Sequence, residues 1–272
     1  MTSPADALLD FSAVIVTGGS SGIGKSFIEL CFKLRPDLVF CNLSRRIPEL
    51  AEKELKLRHF ACDLGRPEQI ETAAAAIEAL LDREAPAGRV LLINNSGFGT
   101  YGRFPDPSLG QNGEMVDVNV RAVVHLTGRL MPFLKSRGGA ILTVASTAAF
   151  QPTPYLATYG ATKAFVLHWS LALNEELRGT GVRTLALCPG PTATQFFRRA
   201  GLKEGSVADA LGQSSGDVVR EALVALGAGR CQVVTGWKNK VSAFFGGMLP
   251  KPLTARVAGI VLKRYRLAAT SK

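Results

Sequence analysis

The amino-acid sequence predicts an α/β fold, a single domain built on a doubly wound parallel sheet of about seven strands with helices on both faces. Seven short apolar runs recur along the 272 residues, and each is almost continuously apolar, which is typical of strands covered on both faces. The segments between the runs are long enough for crossover helices, and this alternation indicates parallel strands. Hydrophobic residues make up 47% of the chain, which suffices for a large core and excludes a disordered protein.

The predicted strands cover residues 13–17, 38–43, 57–61, 90–94, 140–145, 183–187 and 232–235. No internal repeat and no low-complexity linker divides them, so we expect one domain over residues 1–272. The alternation breaks near residues 195–217, and the segment 236–272 forms a basic C-terminal extension.

Several classes of protein are excluded by composition. The five cysteines are widely spaced and form no C-x-x-C pair, and the three histidines lack the spacing of metal ligands, so we expect neither disulfides nor a metal site. Residues 1–10 do not resemble a signal peptide, and no stretch approaches the ~20 apolar residues that cross a bilayer. We therefore predict a soluble, cytoplasmic protein.

A glycine-rich loop directly follows the first predicted strand and precedes a helical segment. Glycines at such a turn let the backbone approach a pyrophosphate, while the helix N-terminus offers N–H groups and a favourable dipole. The pattern predicts a dinucleotide site. Its candidate residues are Thr17, Gly18, Ser20, Ser21, Gly22, Ile23 and Gly24.

The end of the second predicted strand distinguishes between two cofactors. An acidic residue about 20 positions beyond the glycine loop would bind the ribose 2′-hydroxyl of NAD. Here Ser44 stands at that place and is followed by Arg45 and Arg46. Guanidinium groups suit a 2′-phosphate, so NADP(H) is favoured over NAD(H).

Tyr159 and Lys163 lie four residues apart in a predicted helix, so both side chains fall on one face. A free tyrosine has a pKa of ~10, and a nearby ammonium group favours its phenolate. The pair can therefore act as an acid and base near neutral pH.

These motifs together resemble the short-chain dehydrogenase/reductase family, whose compact members open with T-G-x-x-x-G-x-G and fold as a Rossmann-type sheet. The resemblance spans residues 13–194. It extends the cofactor site to Asp63 and Leu64 after the third strand, to Asn95, Ser96 and Gly97 after the fourth, and to Pro189, Gly190, Thr192 and Thr194 after the sixth. The family usually has alanine where this chain has Ser96.

The resemblance also implies a catalytic group of Asn119, Ser146, Tyr159 and Lys163. Tyr159 would exchange a proton with the substrate oxygen, and Ser146 would donate a hydrogen bond to it. Lys163 would hold the nicotinamide ribose and depress the tyrosine pKa, and Asn119 would help to hold a proton-relay water. The implied reaction is hydride transfer between nicotinamide and a carbonyl or secondary alcohol.

An apolar substrate is indicated by aromatic residues on loops at the carboxyl edge of the sheet, where family members carry a mobile lid near residues 195–217. The candidate lining residues are Phe98, Phe150, Tyr155, Phe196 and Phe197. Tyr155 is a second phenol, but no lysine follows it four residues later, which favours a lining role.

Two alternative functions remain open. A 3-oxoacyl carrier-protein reductase would use a basic face, although Thr158 stands where that group typically has asparagine. A nicotinamide-binding sensor without turnover would be expected to lose a member of the catalytic group, and all four are present here.

The basic character of the chain is confined to its C-terminal part. Residues 196–272 contain 13 Lys and Arg against 4 Asp and Glu, and no acidic residue follows Glu221. Basic residues interleaved with Phe, Trp and Leu suit a peripheral contact with an anionic membrane, a subunit contact or a solvated helix face. No nucleic-acid-binding motif accompanies the charge, so we expect no nucleic-acid partner. The family resemblance implies a homodimer or homotetramer formed through the long fourth and fifth helices.

Overall fold

The computed structural model describes residues 3–50, 55, 57–192, 196, 200 and 212–263. Seven strands lie within a residue or two of the predicted ranges. They are β1 (Phe11–Thr17), β2 (Val39–Ser44), β3 (Leu57–Ala61), β4 (Arg89–Asn94), β5 (Gly139–Val144), β6 (Val182–Cys188) and β7 (Gln232–Val234). All pair in parallel in one sheet of order β3-β2-β1-β4-β5-β6-β7, which confirms the predicted fold class.

The described residues also form eight α-helices. They are α1 (Gly22–Leu34), α2 (Pro67–Glu84), α3 (Leu109–Val116), α4 (Ala122–Arg137), α5 (Ala157–Glu176), α6 (Ser215–Gly227), α7 (Trp237–Met248) and α8 (Lys251–Lys263). A one-turn π-helix, Asp117–Arg121, joins α3 to α4, and a short 3₁₀ helix, Thr147–Phe150, follows β5. No helix in the described ranges has both the length and the apolar character needed to cross a membrane.

The core lies on both faces of the sheet, because alternate residues of a strand point to opposite sides. On one face Val14 and Val16 of β1 pack with residues of α1 and α6, including Phe27 and Leu223. On the other face the buried side chains of β1 pack with residues of α2 and α4, including Ile77. This two-sided covering explains why the central strands are apolar almost throughout.

The strand order reverses between β1 and β4, which are neighbours in the sheet although β2 and β3 intervene in the chain. In such sheets a crevice forms beyond the carboxyl ends of the strands at the reversal. The loops after β1, β4 and β5 therefore meet at one edge, and these loops carry many of the candidate residues.

Part of the predicted site falls outside the described residues. Thr194, Phe197 and most of the expected lid near 195–217 lie there, as does the chain beyond Lys263.

Candidate active site

A cavity of about 1210 Å³ opens at the carboxyl edge of the sheet. Its walls include the loops after β1, β2, β4, β5 and β6, together with α5, α7 and α8. The predicted cofactor and catalytic residues that line it are Gly18, Ser20, Ser21, Gly22, Ile23, Ser44, Arg45, Arg46, Asp63, Leu64, Asn95, Ser96, Gly97, Ser146, Tyr159, Lys163, Pro189, Gly190 and Thr192.

The glycine loop has the backbone shape that a phosphate cradle requires. Gly18 and Gly22 have φ angles of +69° and +58°, a backbone region that residues other than glycine rarely adopt. A Cβ on Gly18 would lie 2.6 Å from the Ser96 Oγ, so only glycine fits there. Helix α1 begins at Gly22 without a side-chain cap from Ser21, so Ser21 does not occupy its first N–H groups, and Gly22 and Ile23 line the cavity.

Thr17 and Gly24 support this loop from behind. The Thr17 Oγ1 accepts hydrogen bonds from the backbone N–H groups of Asn95 and Ser96, both at 3.0 Å. The Asn95 Nδ2 donates to the carbonyls of Thr17 and Gly18 at 2.9 and 3.2 Å. A Cβ on Gly24 would collide with this same amide and with the Gly18 carbonyl. The ends of β1 and β4 are thus joined across the reversal point.

Sequence reasoning missed Asn42, a buried polar residue in β2. Its Oδ1 accepts a hydrogen bond of 2.8 Å from the Gly19 backbone N–H and so fixes the middle of the glycine loop. Its Nδ2 lies 2.9 Å from both the Ser44 Oγ and the His59 Nδ1. A lone asparagine inside an apolar strand was the available signal, because a buried amide needs partners.

The loop after β2 exposes two guanidinium groups at the cavity edge. The side chain of Arg45 is 71% exposed, and its Nη1 lies 4.0 Å from the Glu114 Oε1 on α3. Ser44 is buried, and its hydroxyl donates to the Arg46 carbonyl at 2.7 Å, so it shapes the turn that presents the arginines. Glu114 also lines the cavity and was not foreseen from the sequence.

Asp63 and Leu64 follow β3 at the same edge. The Asp63 Oδ1 accepts a hydrogen bond of 3.0 Å from the Gly65 backbone N–H, and the Asp63 N–H donates to the Gln69 Oε1 at 2.7 Å. These bonds fix the turn into α2, and Asp63 lines the cavity.

Tyr159 and Lys163 lie on the first two turns of α5, facing Ser146 after β5. Ser146 hydrogen-bonds with the Tyr159 side chain. The Lys163 Nζ donates to the Val144 carbonyl at 2.7 Å and lies 5.9 Å from the centroid of the Tyr159 ring. The structure therefore brings together the three side chains that the sequence separates by up to 17 positions.

Burial dominates the protonation of this pair. It raises the pKa of Tyr159 to about 12, against a smaller opposing effect of the Ser146 hydrogen bond, which is opposite to the lowered pKa expected from the neighbouring Lys163. It lowers the pKa of Lys163 to about 8. Near neutral pH Tyr159 therefore holds its proton, and Lys163 lies close enough to its pKa to gain or lose one.

Asn119 lies on the π-helix and is buried beneath the cavity wall rather than in it. Its Oδ1 accepts from the Phe98 N–H at 3.0 Å, and its Nδ2 donates to the Phe98 carbonyl at 2.9 Å and the Thr162 Oγ1 at 3.0 Å. Both backbone polar groups of Phe98 are thereby satisfied by one side chain. Asn119 links the loop after β4 to α5, and Thr162 is a further residue that sequence reasoning missed.

The five predicted lining aromatics do not share one location. Phe98 and Phe196 line the cavity. Phe150 and Tyr155 are not among its lining residues, which corrects the expectation for both. Phe150 packs against a small core cluster, while Tyr155 adopts a φ of +68° and stacks on Tyr101 with 5.7 Å between ring centroids.

No group of histidine, cysteine, aspartate or glutamate side chains suited to a metal ion occurs among the residues that the structure describes.

Comparison with known proteins identifies the family. The family model for short chain dehydrogenases matches residues 12–205. An uncharacterized oxidoreductase of Staphylococcus epidermidis is 28% identical over 210 residues, which cover 72% of this chain and 87% of that protein. The very-long-chain 3-oxoacyl-CoA reductase of Neurospora crassa is 32% identical over 216 residues, 68% of this chain and 62% of that protein.

A solved structure supports the same assignment. The short-chain dehydrogenase of Sphingobium yanoikuyae in complex with NADPH superposes with a TM-score of 0.70 at 25% identity, covering 96% of this chain and 99% of that one. Family model, relatives and fold agree with the motifs around the cavity. The chain therefore belongs to the short-chain dehydrogenase family and is an oxidoreductase of that family.

Proposed function

We propose that this protein is an NADP(H)-dependent oxidoreductase that transfers a hydride between nicotinamide and the carbonyl or secondary alcohol of an apolar substrate. The observation that carries the proposal is the convergence of Ser146, Tyr159 and Lys163 on the cavity that the glycine loop also lines. A donor, an acid and a cation at one wall suit chemistry at a carbonyl oxygen.

The cavity residues fit a dinucleotide, since the crowding around Gly18 and Gly24 leaves no room for side chains and the start of α1 is uncapped. When bound, the nicotinamide cofactor supplies or accepts the hydride. In the reducing direction the Tyr159 phenol gives its proton to the substrate oxygen, and Ser146 donates a hydrogen bond to that oxygen. Lys163 stabilises the phenolate that results, because an adjacent cation favours the charged form.

NADP(H) is favoured by the exposed guanidiniums of Arg45 and Arg46 at the cavity edge and by the absence of an acidic residue at that place in the sequence. A carboxylate there would repel a 2′-phosphate, whereas arginine binds one bidentately. The NADPH complex of the Sphingobium relative agrees with this choice.

An apolar substrate is supported by the remaining cavity wall. Phe98 and Phe196 face it from the body of the protein, and α7 and α8 contribute further apolar side chains, including Phe245 and Leu253. Such a lining favours a hydrocarbon chain or ring system over a polar metabolite. The similarity to an acyl-chain reductase points in the same direction.

A homodimer or homotetramer through α4 and α5 is part of the proposal. Val124 on α4 and Phe165 on α5 are exposed apolar residues, which an interface between subunits would cover.

The proposal is tested by following NADPH consumption with ketones of increasing chain length, including a 3-oxoacyl thioester. We expect turnover that improves with chain length and is lost in Tyr159→Phe. Binding of NADPH without turnover of any ketone by the intact protein, and with no effect of Tyr159→Phe, would favour the sensor alternative instead.

A further inference from the structure

Helices α7 and α8 form one wall of the cavity and also part of the outer surface. The side chains of Phe245, Leu249, Leu253, Val257 and Val261 line the cavity, yet each is between 41% and 54% exposed. We call the stretch of wall that these side chains form the mouth of the cavity, because it adjoins exposed apolar side chains of the same two helices that do not line the cavity. The mouth is therefore apolar.

A second set of apolar side chains extends outward from the mouth, and we call it the apolar rim. On α7 it comprises Trp237, Val241, Phe244 and Met248, which recur at helical spacing and are 50% to 72% exposed. On α8 it comprises Ile260, which is also largely exposed. None of the five lines the cavity. An exposed apolar patch of this kind indicates a contact with something outside the protein.

The charge around the rim has one sign. Residues 237–263 contain five basic residues and no acidic one. Lys240 lies 3.8 Å from the Glu221 carboxylate, and Lys251 donates to backbone carbonyls at the end of α7. Lys238, Arg256 and Lys263 are exposed beside the apolar rim. The surface therefore complements an anionic apolar partner.

We infer that α7 and α8 dock reversibly on an anionic lipid surface, so that a long-chain ketone or secondary alcohol dissolved in the membrane enters the cavity through its apolar mouth. Amphipathic helices with aromatic and basic residues bind at the lipid interface, where each basic side chain adds attraction to anionic headgroups. The docking follows from the rim and its charge, while the path of the substrate rests on the proposed function.

A second copy of the chain fits this surface less well. In a two-fold contact the same patch meets itself, so a surface whose charges are all positive would bring like charges together. No acidic residue of α7 or α8 is available to pair with them. Lipid headgroups supply the missing negative charge and the acyl chains cover the rim.

The helix pair is anchored to the body by contacts outside the rim. The Tyr101 hydroxyl donates to the Leu262 carbonyl at 2.9 Å, and the Lys251 Nζ donates to the Phe150 carbonyl at 3.0 Å. Rim residues can therefore be substituted without removing these anchors.

The test is co-sedimentation of the full chain with vesicles of phosphatidylcholine alone or mixed with phosphatidylserine, at low and high salt. We expect binding only to the mixed vesicles and release by salt. The double variant Arg256→Gln/Lys263→Gln loses two basic side chains, so it should need about 30-fold more lipid for half of the protein to bind. Phe244→Ser with Met248→Ser should also weaken binding. The matched charge control is the double variant Arg83→Gln/Lys135→Gln, which removes two exposed basic side chains on α2 and α4. It should bind the mixed vesicles as the unaltered protein does.

Two results would overturn the inference: absence of binding to the mixed vesicles at low salt, or dissociation of an oligomer by the Phe244→Ser/Met248→Ser variant without any effect on lipid binding.

Turnover separates this inference from the proposed function. We expect the same variant to raise the KM for a vesicle-dissolved long-chain ketone and to leave a short soluble ketone unaffected. Lipid binding by a protein without any turnover would support docking and contradict only the proposed function.

Discussion

The ring of Phe196 lies against the ring of Tyr159, with 5.0 Å between their centroids and 49° between their planes. Gly99 makes this approach possible, because a Cβ there would lie 2.8 Å from the Phe196 Cζ and 3.0 Å from the Tyr159 Cδ2. The contact covers the phenol and contributes to the burial that raises its pKa. An aromatic side chain from the segment after β6 thus forms part of the environment of the proposed acid.

Replacing Phe196 by alanine should weaken substrate binding. The proposed substrate is apolar, and full burial of an apolar side chain such as phenylalanine contributes ~1.5–3 kcal/mol. Because alanine would lose part of this contact with the substrate, we expect a KM about tenfold higher. The dissociation constant of NADPH should stay the same. Steady-state kinetics measure the KM. Phe196→Leu is the control: it keeps an apolar contact, so its KM should lie close to that of the unaltered protein. An unchanged KM in Phe196→Ala would place the substrate elsewhere.

Arg45→Ala should remove most of the preference for NADPH over NADH. A hydrogen bond to a charged group contributes roughly 1.5–3 kcal/mol, which corresponds to a ~10–150-fold change in affinity. Because Arg45 is exposed, we expect a change at the lower end of this range. Fluorescence titration with NADPH and with NADH measures the ratio of the two affinities in each protein. Equal affinities for NADPH and NADH in the unaltered protein would contradict the assignment.

Glu114→Gln is the companion experiment, because Glu114 lies 4.0 Å from Arg45 and would compete with a 2′-phosphate for it. Removing this exposed charge should tighten NADPH binding by about two- to fivefold and leave NADH binding unchanged. Weaker NADPH binding would mean that Glu114 holds Arg45 in place.

Asn42→Ala should loosen the glycine loop from behind. The buried Gly19 N–H would lose its acceptor, so we expect the free energy of unfolding to fall by about 1–3 kcal/mol and cofactor binding to weaken about tenfold. Chemical denaturation and titration measure the two effects. His59→Ala, which removes a different contact of Asn42, should keep cofactor affinity. Equal losses in both variants would argue against a role for the Gly19 contact.

The reduction rate should depend on the protonation of Lys163. Burial holds its pKa at about 8, so the side chain is charged below that pH and neutral above it. Because the charge stabilises the phenolate left after proton transfer, kcat/KM for reduction should be constant below pH 8 and fall above it. Lys163→Met, which is uncharged at every pH, should be slow throughout and show no fall near pH 8. The same fall in that variant would assign the ionisation to another group.

The sheet was predictable because its signal is local. The central parallel strands are buried on both faces, so they appear in the sequence as apolar runs, and the seven predicted ranges match the seven strands closely. The edge strand β3 is only partly buried and contains Arg58 and His59. Gly18 and Gly22 were recognisable for a similar reason, since their positive φ angles demand glycine.

Contacts between distant residues were not predictable from local patterns. Glu114 reaches the cavity because α3 folds across it, 69 positions from Arg45 in the sequence. Tyr155 was expected on the cavity wall, but it has a left-handed backbone conformation and its ring stacks on Tyr101. The partners of Asn119, Phe98 and Thr162, likewise lie 21 and 43 positions away in the sequence.

The most direct test of the account compares Tyr159→Phe with Tyr155→Phe, two substitutions that each remove one hydroxyl and keep the ring. NADPH affinity and turnover of the same ketone are measured for both. We expect Tyr159→Phe to bind NADPH normally and to lose ~10²–10⁴-fold in kcat, the contribution of a general acid, while Tyr155→Phe retains its rate. Full turnover by Tyr159→Phe, or its loss in Tyr155→Phe alone, would contradict the assignment of Tyr159 as the acid.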